Sequence, residues 1–406
     1  MTMAEGFAQI FPNSTGDKVR VVRNSIAGYL VDQQVVSIAN ERGALLPTDE
    51  LLTAFGALRV AAPRTLFDSK FLYDKQAVFW AEALTGAGAS AQANSMVTMT
   101  VAGNTDSVVR QTKMWFNYQS GKGQLVMLTG VFSQEANVAK RVGYFNGTDG
   151  IYLKVTGTGI AFEILKGGSV AETVLQAQWN ADTLDGHGPS GFALDLTKVQ
   201  ILFLDFQWLG TGTVRVGFMI NGRIVYAHEF HHANVLGASP YMNVPNLPVR
   251  YDLTASGGSG SLVQICATVI SEGGSEDRGL VFAVDSGVTG LGLPSTGAVA
   301  LVAIRLAAAR LSAHVDVLHT DILLSSLGAA RWALLLNPTI AGAAIAYAPV
   351  GNTSIEVGFG VAANLCTGGT ELDAGYVSAQ TRQIKEQIQS TLRLGSDLAG
   401  VPDVIA

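Results

Sequence analysis

Cysteine is nearly missing from this chain: Cys266 and Cys366, a hundred positions apart, are the two in 406 residues. Neither has a CxxC partner, so a disulfide framework is excluded, and two lone thiols suggest a reducing compartment with both sulfurs buried. Charge is also scarce, at 14% against 48% hydrophobic residues. So much apolar material can build a large core and excludes a disordered chain. No basic run exists and the net charge is −6, so the electrostatic footprint for nucleic acid or an anionic membrane is absent. The longest greasy stretch, 297–311, is interrupted by Arg305 and Arg310 and falls short of the ~20 apolar residues of a spanning helix. The first residues, MTMAEGFAQIFPNSTGDK, lack the charged and apolar regions of a signal peptide. The expectation is a soluble protein made in a cytoplasm, with no membrane partner and no nucleic acid.

Glycine is what the chain has in abundance, 46 against 11 prolines. With frequent Thr, Val and Ser, that predicts many tight turns between short strands. Residues 1–60 mix polar and apolar positions without a sustained period. They read as an extended arm with short strands at 18–22 and 28–31 and a helical turn at 49–55 capped by Thr48. From Met96 the strand signals become regular. Runs at 96–101, 108–118, 124–129, 138–145, 151–155 and 160–165 follow one another at the roughly 8–12-residue spacing of sandwiches and barrels. The clearest is 214–230, where Val214, Val216, Phe218 and Ile220 alternate, Asn221-Gly222 turns, and Ile224 and Tyr226 return. Both residues of such a turn must accept positive φ, which Asn and Gly do. The run 199–206 reads as a central strand covered on both faces.

After residues 271–275 alanine rises and aromatics thin out. A boundary is placed near Glu272, with strand-length runs beyond it at 299–306, 314–318, 333–336 and 355–357. Residues 378–394 are ambiguous, because Ile384, Ile388 and Leu392 suit a helix stripe or one strand face equally. The expected architecture is all-β. An extended N-terminal arm covers 1–65, a central antiparallel β-sandwich, jelly-roll or lectin-like, covers 66–272, and a smaller C-terminal β-rich domain covers 273–406.

Several motifs invite chemistry. His228-Glu229-Phe230-His231-His232 matches the HExxH zinc signature, which works on a helix because positions i and i+4 share a face. Here a hairpin precedes it. In a strand the two histidines would sit about 13 Å apart, at ~3.3 Å per residue, too far to share an ion. Trp179-Asn180-Ala181-Asp182-Thr183-Leu184-Asp185-Gly186 has oxygen ligands and a glycine as in a calcium loop, but Leu184 occupies a ligand position, and Asx turns explain the same residues. Asp195, Asp205, Glu163 and Glu172 are acids on or beside strands. A glycosidase needs two carboxyls about 5–9 Å apart, and scattered acids on a sandwich usually face solvent. The tracts at 86–88, 157–159 and 257–260 lack the strand-to-helix setting of a phosphate cradle. Ser190, in Gly188-Pro189-Ser190-Gly191, is not in a nucleophile elbow. Trp115, Trp179 and Trp208 could stack on sugars, although aromatics in a β-rich chain are more often packing residues. The expectation is no catalytic residue, no cofactor and no metal.

An ordered series of motifs carries a resemblance. Residues 54–60 (Ala54-Phe55-Gly56-Ala57-Leu58-Arg59-Val60) are followed by Thr65-Leu66-Phe67-Asp68-Ser69-Lys70, Arg110-Gln111-Thr112, Tyr118-Gln119-Ser120-Gly121-Lys122 and Gly143-Tyr144-Phe145. Then come Gly186-His187-Gly188-Pro189-Ser190-Gly191, Gln207-Trp208-Leu209-Gly210, His228-Glu229-Phe230 and Pro245-Asn246-Leu247-Pro248-Val249-Arg250-Tyr251. Together these resemble a family of proteins encoded by tailed bacteriophages, over about residues 54–274. The chain departs from it at Ala57, where a second basic residue is expected. The resemblance implies a non-enzymatic virion structural protein, in head decoration, tail or fibre, assembled in the bacterial host cytoplasm. Its partners would be other copies of itself, by analogy with phage appendages a trimer, and capsid, portal or tail proteins. Low charge and high apolar content suit such permanent interfaces. The alternatives are a lectin-like, glycan-binding appendage that recognises a host surface, and a hydrolase on the same scaffold.

Overall fold

The structure is a computed structural model that describes residues 4–9, 18–26, 29–35, 62–274, 280–287, 290–292, 297–324, 328–377 and 382–406. The helical turn expected at 49–55 lies outside the described residues. The chain divides into two compact units, Met1–Arg59 and Val60–Ala406. In the first, β1 (Ala4–Gln9), β2 (Lys18–Ile26) and β3 (Tyr29–Val35) form a three-stranded antiparallel sheet. What was expected as an arm with two short strands is thus laterally paired, which satisfies backbone groups that an isolated extended segment would leave to water.

The second unit opens with the sandwich. Its strands are β4 (Arg64–Lys70), β5 (Trp80–Thr85), β6 (Ala89–Ala93), β7 (Met96–Val101), β8 (Asn104–Thr112), β9 (Gly123–Val131), β10 (Val138–Phe145), β11 (Gly150–Thr156), β12 (Gly159–Lys166), β13 (Ser169–Leu175), β14 (Val199–Phe206), β15 (Val214–Ile220), β16 (Arg223–Phe230), β17 (Val249–Ser256) and β18 (Gly260–Glu272). One sheet has seven strands in the order β13-β12-β11-β10-β17-β8-β5. The other has eight, ordered β16-β15-β14-β9-β18-β7-β6, with β4 paired to β18. The pairings within both sheets are antiparallel.

Alternation decides which side chains lie between the sheets. Val142 and Tyr144 of β10, Ile151, Leu153 and Val155 of β11 and Phe162 of β12 meet Leu202, Leu204 and Phe206 of β14 and Val216 and Phe218 of β15 in one buried core. The β15–β16 hairpin turns as its Asn-Gly pair requires, with Asn221 at φ 52° and Gly222 at φ 77°. Strand β14 is central, between β9 and β15, and both its faces are covered: Phe203 and Asp205, which point away from the core, are buried too.

The C-terminal part of the same unit holds a six-stranded sheet, whose longer strands are Val302–Leu306, Ala330–Leu336, Ile355–Phe359 and Thr370–Val377. Its small core joins Leu306, Leu334, Leu336, Leu394 and Ile405. The ambiguous segment resolves as a strand: Arg382–Arg393 pairs with Asp316–Leu324, and 378–381 lie outside the described residues. Hydrogen bonds tie this part to the sandwich, among them those from Asn246 Nδ2 to Ser312 O at 3.1 Å and from Ser396 N to Lys113 O at 3.0 Å. One expectation fails here. Both cysteines are free, but Cys266 is exposed and Cys366 half-buried. A bulge in β18 between Gln264 and Cys266 shifts the alternation and turns the Cys266 thiol outward.

Candidate functional site

The histidine tract lies on β16 and its exit, pleated and not helical. His228, Phe230 and His232 follow one another along one side, with ring centroids 4.4 Å and 6.5 Å apart, so Phe230 separates the two imidazoles. His228 Nδ1 accepts the Asn180 N–H at 3.2 Å. Burial, and then the neighbouring His231, push its pKa down to about 4. His232 is buried and stacked on Tyr241 at 4.1 Å. Its Nδ1 meets Gly212 O at 2.6 Å and its Nε2 meets Glu172 Oε1 at 2.9 Å. Because Glu172 stands on β13 and His232 follows β16, this contact bridges the edge strands of the two sheets. Among the described residues no three His, Cys, Asp or Glu side chains gather as a metal site.

The loop at 180–191 is knitted by its own acids. Asp182 accepts the N–H groups of Leu184 and Ser190 at 2.8 and 2.7 Å, and Asp185 accepts the His187 N–H and the Thr183 hydroxyl at 2.9 and 2.8 Å. These are the Asx turns that the sequence offered as the competing reading. The glycine tracts at 86–88, 157–159 and 257–260 all lie at joints between strands. The tryptophans pack: Trp179 lies 5.1 Å from Phe162, Trp208 gives its Nε1 hydrogen to Met242 O at 3.0 Å, and Trp115 rests against the core.

The acids correct the expectation that they would face solvent. Asp195 does, in a turn with Thr197 and Lys198. Asp205 and Glu163 are buried, although each points away from the inter-sheet core. Asp205 accepts Arg215 at 3.1 Å and 2.5 Å on the outer side of the eight-stranded sheet, with Arg215 above the Tyr226 ring at 4.5 Å. Glu163 belongs to a larger group on the outer side of the seven-stranded sheet.

That outer face is the most elaborate polar surface of the sandwich, and strand register builds it. One row across the sheet reads Thr173, Glu163, Tyr152, Gly143, Arg250, Gln111, Ala81. The next reads Leu175, Ala161, Lys154, Arg141, Asp252, Val109, Ala83. Tyr152 gives its hydroxyl hydrogen to Glu163 at 2.6 Å, and Lys154 adds an ammonium at 2.9 Å. Burial, together with that carboxylate, pushes the Tyr152 phenol well above its ordinary pKa. Asp252 accepts Arg141 Nη2 at 2.5 Å and Arg250 Nε at 2.6 Å. Burial works against the charge on Arg141, but the Asp252 carboxylate outweighs it and holds the guanidinium above its ordinary pKa.

Beneath these charges lies an aromatic floor. Phe145 and Tyr152 pack 4.8 Å apart beside Leu165. Arg141 lies over both rings, at 5.3 and 5.6 Å, and Arg250 lies over Phe145 at 5.5 Å. Cation–π contact and ion pairing together hold the guanidiniums in fixed planes. Gly143 makes the arrangement possible, because a Cβ there would come within 2.6 Å of Tyr152 Cα and Cβ and 2.3 Å of Ile151 O. At the end where β12 turns into β13, the segment 231–248 packs down. Lys166 Nζ reaches Ser239 Oγ at 2.7 Å, and the Asn243 N–H reaches Asp149 Oδ1 at 2.7 Å. Of this face the sequence had singled out Glu163 as a candidate. Gln111, Gly143, Phe145 and Arg250 had appeared only within motifs, and the charges two positions apart at Arg250 and Asp252 were the signal that could have found the rest.

No family model matches the chain, and no curated protein does. Solved structures do match the sandwich. A glycosyl hydrolase family protein from Mycobacterium fortuitum is 11% identical, with a TM-score of 0.36 over 51% of this chain and 99% of that one. A beta-1,3-glucanase from Mycobacterium marinum is 13% identical, with a TM-score of 0.36 over 51% of this chain and 98% of that one. The carbohydrate recognition domain of Emp47p is 9% identical, with a TM-score of 0.30 over 47% of this chain and 87% of that one. At such identities the likeness is at most one of fold, and the chain's own two sheets make its central part an antiparallel β-sandwich of the jelly-roll or lectin-like kind. The expectation of a non-enzymatic virion component is corrected at this point. The structures that share the sandwich are named for glycosyl hydrolysis and carbohydrate recognition, and none of those named here is a virion protein.

Proposed function

We propose that this chain binds carbohydrate across the outer face of its seven-stranded sheet. One observation carries the reading: planar, hydrogen-bonding side chains are fixed in place on a sheet face that the second sheet does not cover. Arg141 and Arg250 are oriented by Asp252 and by the rings beneath them, and Lys154 is oriented by Glu163. Sugars are recognised by hydrogen bonds whose donors are in position before the ligand arrives, because ordering flexible side chains on binding costs about 0.5–1.5 kcal/mol each.

The test is an immobilised-glycan array probed with the full chain and with Arg250→Ala, both checked for folding by circular dichroism. Asp195→Ala, in an exposed turn remote from the face, serves as control. Binding that Arg250→Ala removes and Asp195→Ala keeps is the expected result. Binding unaffected by Arg250→Ala, or none at all, would discard the assignment.

A further inference from the structure

We infer that the face selects a glycan bearing an oxyanion, a uronate carboxylate or a sulfate ester, over a neutral one; this rests on the carbohydrate-binding reading of the same face. Its outward positions carry Arg141, Lys154, Glu163, Arg250 and Asp252, and the signs are layered by depth. The carboxylates lie low, with the side chains of Glu163 and Asp252 6% and 4% exposed. The cations lie above them, with Lys154 39%, Arg141 37% and Arg250 16% exposed. An approaching molecule meets positive charge first.

Hydrogen-bond bookkeeping points the same way. Glu163 already accepts from Tyr152, Lys154 and Thr173, at 2.6, 2.9 and 3.3 Å. Asp252 accepts from both guanidiniums, and Gln111 Oε1 accepts Arg250 Nη1 at 3.2 Å. A guanidinium carries five N–H donors and an ammonium three, so the capacity left toward solvent is donor capacity on cations. A neutral diol needs acceptors as well as donors, whereas an oxyanion needs donors alone and suits the guanidinium fork in a two-point contact. With a net charge of −6 on the whole chain, attraction for an anion must be local to this face and weakened by salt.

Isothermal titration of the full chain would compare tetragalacturonate and a carrageenan-derived sulfated tetrasaccharide with neutral maltotetraose and laminaritetraose. One anionic probe should bind at least about tenfold more tightly than both neutral ones. That preference should shrink as salt rises from about 0.05 to about 0.5 M and fall in Arg141→Gln and Lys154→Gln. The probe that binds identifies the oxyanion. Equal or tighter binding of a neutral probe, lost in Arg250→Ala, would overturn the selectivity and leave the binding face standing. Anion binding unchanged in Arg141→Gln and Lys154→Gln would place the anion elsewhere and overturn the inference. No binding by any probe would overturn both.

Discussion

Asp252→Asn should be among the most disruptive single-atom changes on the sandwich surface. The side chain keeps its shape, but a buried carboxylate between two guanidiniums becomes a neutral amide whose NH₂ must face one of them. At an effective dielectric of about 20, each contact pair is worth about 4 kcal/mol before desolvation is counted. Removing one partner of such a buried group typically costs about 3–5 kcal/mol, because the remaining charge is left uncompensated. Arg141 is more than a third exposed, so water screens part of its share, and about 3 kcal/mol is expected. At roughly 2–4 °C per kcal/mol for a domain of this size, the melting temperature should fall by about 6–12 °C. Arg141→Met keeps the apolar stem over Phe145 and Tyr152 and should cost about 1 kcal/mol. Urea unfolding followed by the fluorescence of the buried Trp80 and Trp179 measures both variants and their combination. In the double variant the Asn no longer opposes the Arg141 guanidinium, so the two effects should fall short of additivity by about 1 kcal/mol. Strict additivity, or an Asp252→Asn protein within about 0.5 kcal/mol of the parent, would show that the network is not formed as described.

Three other perturbations have definite outcomes. Gly143→Ala should force β10 and β11 apart, since the new Cβ lands 2.3 Å from Ile151 O; a loss of about 2–3 kcal/mol is expected by calorimetry. Gly222→Ala, in the open β15–β16 turn at φ 77°, should lose only about 1–2 kcal/mol, because backbone strain acts there without a clash. His228 gives a pH signature. It is neutral in the fold, with a pKa near 4 against 6.5 for an ordinary imidazole, so the unfolded chain binds the extra proton between those values. Stability should therefore fall as pH drops from about 6.5 to about 4, by about 1–2 kcal/mol once its half-exposed ring is allowed for. His228→Gln should flatten that slope in melting temperatures recorded from about pH 7 to about pH 4.

How much of this was legible in the sequence depends on which interactions were local. Strands β10 and β14 and the turn at Asn221-Gly222 were readable to the residue, because alternation and positive-φ turn chemistry are written in adjacent positions. The pleated backbone at His228 was legible for the same reason: the hairpin turn before it is written in Asn221-Gly222. The candidate site was not legible. Asp252 meets Arg141 across 111 positions and Gln111 meets Arg250 across 139, and sheet order, not sequence distance, brings them together. Alternation tells which residues leave the core, but not which neighbour they find on the far side.

That distinction also explains why acids expected in solvent are buried. A residue pointing away from the core of a sandwich is ordinarily wet, and Asp195 shows the ordinary case. Glu163 and Asp205 are dry because each sits beside an aromatic ring and beneath a long cation, on opposite sheets. Two outer faces have thus reached the same solution. The one on the eight-stranded sheet sets Arg215 and Asp205 in an apolar patch of Leu125, Phe203 and Tyr226. The one on the seven-stranded sheet spreads three cations over two carboxylates, with cations reaching solvent. A network that served stability alone would gain by matching its charges and burying them; an unmatched, outward-facing cation layer adds little to stability. The excess positive charge is therefore the feature of the fold that the proposed glycan would explain and folding does not.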